Sequence, residues 1–117
     1  MSQKYTLERP SAETPKIYEQ DGQTSKDDLV VYEHYFISGT SADWFVIEYD
    51  RERDEIFCFA ELIRGFGELG YTSMKELDDL VVHIPVVMGN ETIRVPLQVE
   101  RESCWTPKRL GEVLKAR

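Results

Sequence analysis

Apolar and polar positions alternate first and most clearly between Val30 and Ile37. Val30, Tyr32, His34 and Phe36 fall on one side, with Val31, Glu33 and Tyr35 on the other. That two-residue period, rich in β-branched and aromatic side chains, predicts a strand. Ser38-Gly39-Thr40-Ser41 supplies turn chemistry, and a second alternating run follows from Asp43, with Phe45, Ile47 and Tyr49 opposed to Trp44, Val46 and Glu48. The segment Asp50-Arg51-Glu52-Arg53-Asp54-Glu55 contains no apolar residue and lies between two β-favouring runs, which predicts a hairpin connection. The next run, Ile56 to Ile63, is apolar at nearly every position, as expected of a strand covered on both faces. Gly65, Gly67 and Gly70 then rule out a helix interior and predict a bend or an irregular edge.

The pattern changes at Ser73-Met74-Lys75-Glu76, where a capping box predicts a helix of about two turns. Met74, Leu77 and Leu80 or Val81 form its apolar stripe, with Glu76, Asp78 and Asp79 on the exposed side. Pro85 to Met88 and Thr92 to Val95 flank Gly89-Asn90-Glu91, a hairpin whose second arm Pro96 confines to an edge. Leu97 to Glu102 alternates again. Thr106-Pro107 then predicts an N-cap and first turn for a C-terminal helix, with Leu110, Val113 and Leu114 on one face. The fold class is α+β: a mainly antiparallel sheet with a short central helix and a C-terminal helix, because the first three strands are joined by links too short for parallel crossovers.

Length bounds the organisation. At 117 residues the chain fits one domain. Residues 1–15, with Pro10 and Pro15 and only Tyr5 and Leu7 as large apolar side chains, read as a flexible N-terminal arm, leaving 16–117 as a single globular domain. No run has the length of a signal peptide or a membrane span, so the expected location is the cytoplasm.

Charge changes the picture more. Asp and Glu number 22 against 14 Lys and Arg, a formal net charge of -8. Such a surface repels phosphate backbones and argues against direct nucleic-acid binding, yet it attracts a basic protein surface. It also confers solubility whatever else it does. Cys58 and Cys104 are far apart and imply no disulfide framework. His34 and His83 lack further ligands at metal-binding spacing, and His34 on an aromatic face reads as a satisfied sheet residue. No nucleophile motif surrounds either cysteine or any serine. Gly65, Gly67 and Gly70 match the dinucleotide spacing, but extended chain follows them where that motif needs a helix. The carboxylates Glu48, Asp50, Glu52, Asp54 and Glu55 permit Mg²⁺ or Ca²⁺ chelation by spacing. Arg51 and Arg53 interleave with them, however, and favour a solvated hairpin tip. Neither a catalytic set, a metal site nor a cofactor is therefore expected. What remains is a partner-binding surface built from Trp44, Glu48, Asp50, Glu52, Asp54, Glu55 and Tyr71, with Glu76, Asp78 and Asp79 beside it, in which an exposed Trp44 or Tyr71 would act as an aromatic anchor.

The residues Trp44, Glu48-Tyr49-Asp50, Glu68-Leu69-Gly70-Tyr71, Ser73, Glu76-Leu77, Glu100-Arg101 and Trp105 resemble the pattern of a family of small uncharacterised bacterial proteins. That family, a domain of unknown function, is carried largely on plasmids, phages and integrating conjugative elements. The likeness runs from about Lys16 to Leu114, with a longer stretch than the pattern has between Val86 and Arg94. The resemblance implies a genomic setting and no activity. In that setting the expected role is a non-enzymatic acidic inhibitor that mimics nucleic-acid charge on a host CRISPR or restriction nuclease complex. The alternatives are an adaptor in plasmid replication or conjugation and a carboxylate-based metal-dependent hydrolase.

Overall fold

The computed structural model describes residues 5–23 and 25–117. Nine strands, two α-helices and one short 3-10 turn occur among them. The body is a five-stranded antiparallel sheet made of β2 (Glu33–Phe36), β3 (Asp43–Asp50), β4 (Glu55–Glu61), β5 (Glu68–Ser73) and β8 (Glu100–Arg101), in the order β5-β4-β3-β2-β8. The expected α+β class holds. A two-stranded pair joins β1 (Val30–Val31) to β9 (Lys108–Arg109), and a second joins β6 (Val81–Met88) to β7 (Glu91–Gln98).

The centre of the sheet, along β3, is buried on both faces. Helix α1 (Met74–Asp79) covers one with Met74 and Leu77, which join Tyr35, Trp44, Val46, Tyr49, Ile56 and Cys58 in one core. Helix α2 (Leu110–Lys115) covers the other with Leu110 and Val113, against Val31, Phe45, Ile47 and Phe59. Each fully buried aliphatic side chain contributes about 1.5–3 kcal/mol.

A β-bulge decides which residue of β3 faces which core. Pairing with β4 runs Val46 to Cys58 and then Glu48 to Phe57, so Ile47 is the extra residue. The expected alternation put Tyr49 with Phe45 and Ile47. The bulge reverses parity, so that Tyr49 joins Trp44 and Val46 while Glu48 turns to the side of Phe57.

Several elements depart from the expected bounds. The single strand over Val30 to Ile37 is split into β1 and β2, although the Tyr32 amide still donates to the Val46 carbonyl. Ser73 caps α1 through the Lys75 amide, one residue earlier than the capping box implies. His83 lies within β6, opposite Pro96. The β6–β7 hairpin is longer than expected and forms its own ribbon, turning at Gly89, whose φ of 63° glycine tolerates without strain. Thr106-Pro107 starts no helix, because Lys108 and Arg109 first pair with β1 and α2 begins at Leu110. Leu62, Ile63 and Phe66 leave the sheet at the end of β4 and are exposed, Phe66 by 80%, so Phe66 does not join the aromatic core.

The largest departure concerns the N-terminal arm. Residues 1–4 lie outside the described residues; residues 5–15 lack helix and strand but are fastened along their length. The Leu7 side chain is buried, and its amide donates to the Asp78 carboxylate at 2.8 Å. Arg9 forks between Asp78 and Asp54, at 2.7 Å to each. Tyr35 donates to the Glu8 carbonyl, the Ser11 amide to Glu33, and the Tyr49 amide to the Pro15 carbonyl. Arg51 donates to three carbonyls, those of Ser11, Ala12 and Thr14. This segment is a strap over the core containing Trp44, and it shares that core with the rest of the domain.

Asp78→Ala removes a buried acceptor and leaves the Arg9 guanidinium with less compensation. It is expected to cost about 3 kcal/mol in urea unfolding. Burial, reinforced by the hydrogen bond to Asp54, pushes the Tyr49 hydroxyl up to about 12. An unfolded tyrosine ionises near 10, so the unfolded state loses its proton first. Tyr49 therefore contributes stability that is intact below about pH 10 and is lost as pH rises towards about 12. Unfolding free energy should fall across that window, and Tyr49→Phe should flatten part of the fall.

Candidate functional site

The expected partner-binding residues separate into two groups. Trp44 is buried with 4% exposure and packs in the core, so it offers no exposed anchor. Glu48, also 4% exposed, accepts the amides of Tyr18 at 3.0 Å and Gln20 at 2.7 Å. Asp54 is held by Arg9 and accepts the Tyr49 hydroxyl. Asp78, expected on the solvent face of α1, is buried because Arg9, 69 residues away, reaches it. Glu48 and Asp78 are buried structural acceptors, and the partly exposed Asp54 is already paired with Arg9.

The second group converges. Asp50, Glu52 and Glu55 line a cavity of about 600 Å³ together with Ile17, Tyr18, Arg53 and Tyr71. The β3–β4 hairpin supplies the carboxylates, and its tip turns through Asp54 at a φ of 54°. Asp50 also accepts the amides of Glu52 and Arg53, which fixes the tip and directs the Glu52 side chain outward. Tyr71 stands on β5, where it pairs with Phe57 in register and packs against its ring at 5.1 Å between centroids. Tyr71 is 52% exposed and Tyr18 is 68% exposed. Partial removal from water raises the Tyr71 hydroxyl above its ordinary range, and Tyr18, Glu48 and Asp21 add to the shift.

Tyr18 is the residue that the sequence reading missed. It sits in a turn over residues 16–23, closed by Glu19 to Lys16 and Asp21 to Tyr18 backbone bonds, with a φ of 75° that few side chains tolerate. The turn is held in that shape from below by Glu48 and by the Gln20 side chain. Gln20 donates to the carbonyls of Val30 and Ile47 and accepts the Val30 amide, doing the work of a missing strand. A tyrosine between two prolines and a polar loop carries no local signal of this placement.

Glu76 and Asp79 lie exposed on α1, which starts beside the hairpin tip: the Met74 amide donates to the Asp54 carbonyl. Of the two arginines expected to neutralise the acids, Arg51 is turned towards the strap and stacks on Tyr49 at 5.3 Å. Arg53 remains at the cavity. Chemically, two half-exposed phenol rings rimmed by three carboxylates form a receptor for a cation, where ring faces and carboxylates both attract a guanidinium or ammonium group.

Among the described residues, no group of three or more His, Cys, Asp or Glu side chains is arranged to hold a metal ion. Cys58 is buried, its thiol pushed up to about 11 by desolvation, while Cys104 is exposed. Among the described residues no helix is long and apolar enough to cross a membrane.

A family model described as "Protein of unknown function (DUF2958)" matches residues 11–109, and the chain belongs to that family. No curated protein and no solved structure matches it.

The division between structural and surface acids gives a direct contrast. Glu48→Ala strands two turn amides and should cost about 2–3 kcal/mol, with early proteolytic cleavage within residues 16–23. Glu52→Ala should change unfolding free energy by no more than about 0.5 kcal/mol.

Proposed function

We propose that this DUF2958 chain is a non-enzymatic binding module that docks a basic surface of a partner protein in the groove between Tyr18, Tyr71 and the hairpin acids. The observation that carries the reading is the meeting of two exposed tyrosines with Asp50, Glu52 and Glu55 around one cavity. Aromatic anchors supply affinity through desolvated contact, and the carboxylates supply steering and selection for positive charge. The exposed acids of α1, Glu76 and Asp79, extend the negative surface beside it.

The partner class follows from the sign and from the setting that the sequence resemblance implies. A net charge of -8 on a small domain suits a protein whose own groove is lined with Lys and Arg to hold nucleic acid. On a mobile element, such a partner is a CRISPR or restriction nuclease complex of the host, and occupying its groove inhibits it. Trp44, Glu48 and Asp78 are left out of the docking surface because they are buried, and Asp54 because Arg9 and Tyr49 already engage it.

The test is affinity capture from a host lysate at about 50 mM and 300 mM salt with the unaltered chain, Glu52→Lys/Glu55→Lys and Tyr71→Ala. Capture of a nucleic-acid-handling protein should weaken with salt, and each variant should reduce it by about tenfold or more while remaining folded. Equal capture by the unaltered and charge-reversed chains would remove the groove from the interaction.

A further inference from the structure

On a second part of the surface the charge balance is reversed. A cavity of about 260 Å³ opens beside α2, with Phe45 and Trp105 at its base and Arg64, Lys108 and Arg117 around it. Asp43 supplies the one side-chain carboxylate among the residues lining it, and its Oδ1 is 2.7 Å from His34 Nε2. His34 is engaged on both edges: its Nδ1 lies 2.7 Å from Glu102 Oε1, and its ring stacks on Phe45 at 4.8 Å. The carboxylate at the cavity is therefore already partnered.

The cations are less fully used. Arg117 pairs with the buried carboxylate of Glu61. Lys108 Nζ lies 4.5 Å from the Trp105 ring centroid and has no carboxylate partner among the described residues. Arg64, exposed in the loop after β4, has none either. Two uncompensated cations thus face one aromatic-floored cavity in a chain that is otherwise strongly acidic. Trp105 is locked in place by its indole N–H, which donates to the Val31 carbonyl at 3.0 Å, so the floor is preformed.

We infer that this cavity is a binding site for a small molecule that carries an oxyanion, phosphate or carboxylate, together with one flat ring. Guanidinium and ammonium groups recognise the oxyanion, and the partly exposed Trp105, backed by the buried Phe45, takes the ring. The volume lies at the small end for ligand sites, which favours one ring with one anionic group over a dinucleotide or an oligonucleotide. The site is separate from the tyrosine groove, shares none of its lining residues, and stands whether or not that groove docks a partner.

Calorimetric titration of the full chain with uridine 5′-monophosphate, benzoate, uridine and inorganic phosphate tests the inference. At least one of the first two should bind saturably with a Kd below about 1 mM, and uridine and inorganic phosphate at least about tenfold more weakly. Binding of the monophosphate alone assigns the oxyanion as phosphate; binding of benzoate alone assigns it as carboxylate. Lys108→Ala and Arg64→Ala should each weaken binding by about three- to tenfold with the near-ultraviolet dichroism unchanged. Absence of saturable binding by both ring-bearing anions would overturn the inference. So would inorganic phosphate binding as tightly as the monophosphate, or affinities unmoved in both variants.

Discussion

The backbone amides of Leu7, Ser11, Tyr18 and Gln20 have no strand to pair with, and the structure satisfies them with carboxylates. Asp78 takes the first, Glu33 the second and Glu48 the last two. All three acids are buried, so each carries a desolvation cost that hydrogen bonds must offset. Arg9 helps at Asp78, and Arg101 helps at Glu33 with two bonds of 3.2 and 3.0 Å. The guanidinium of Arg101 is in turn held more firmly protonated, chiefly by its hydrogen bond to Glu33. An irregular segment at the edge of the sheet is thereby made part of the core.

This arrangement alters the meaning of the acidic composition. Part of the excess of Asp and Glu is internal architecture, and only the remainder is available to a partner. The two parts are coupled, since Glu48 holds the turn that presents Tyr18, and the Asp50 to Glu55 tip is steadied by Arg9 on Asp54. The groove therefore inherits its shape from buried acids that never touch its contents. The fixed positions of Tyr18 and Tyr71 reduce the entropy that a partner's docking must overcome.

Legibility in the sequence followed interaction range. Strands β2 to β4 were readable because alternation and turn residues are local, and Ser73 marked the start of α1 for the same reason. The bulge at Ile47 was not readable, since an extra residue in a fully apolar strand leaves no mark in its pattern. Asp78 was misplaced because a carboxylate on a short helix ordinarily faces water, and its partners Leu7 and Arg9 are 71 and 69 residues away. The strap has few large apolar residues and so looked loose. Its order comes from hydrogen bonds to distant acids, which composition does not report. Glu52, Glu55 and Tyr71 were found as surface residues from charge and aromatic clustering; Tyr18, which completes the cavity, was not.

The most direct test is amide hydrogen exchange followed by nuclear magnetic resonance near neutral pH, read at Leu7, Ser11, Tyr18 and Gln20. If buried carboxylates hold these amides, all four should exchange slowly, with protection approaching that of Val46 and Cys58 in the sheet. Exchange of Leu7 and Ser11 at the rate of an unstructured chain would mean that the strap is not fastened. The buried acids would then need another explanation.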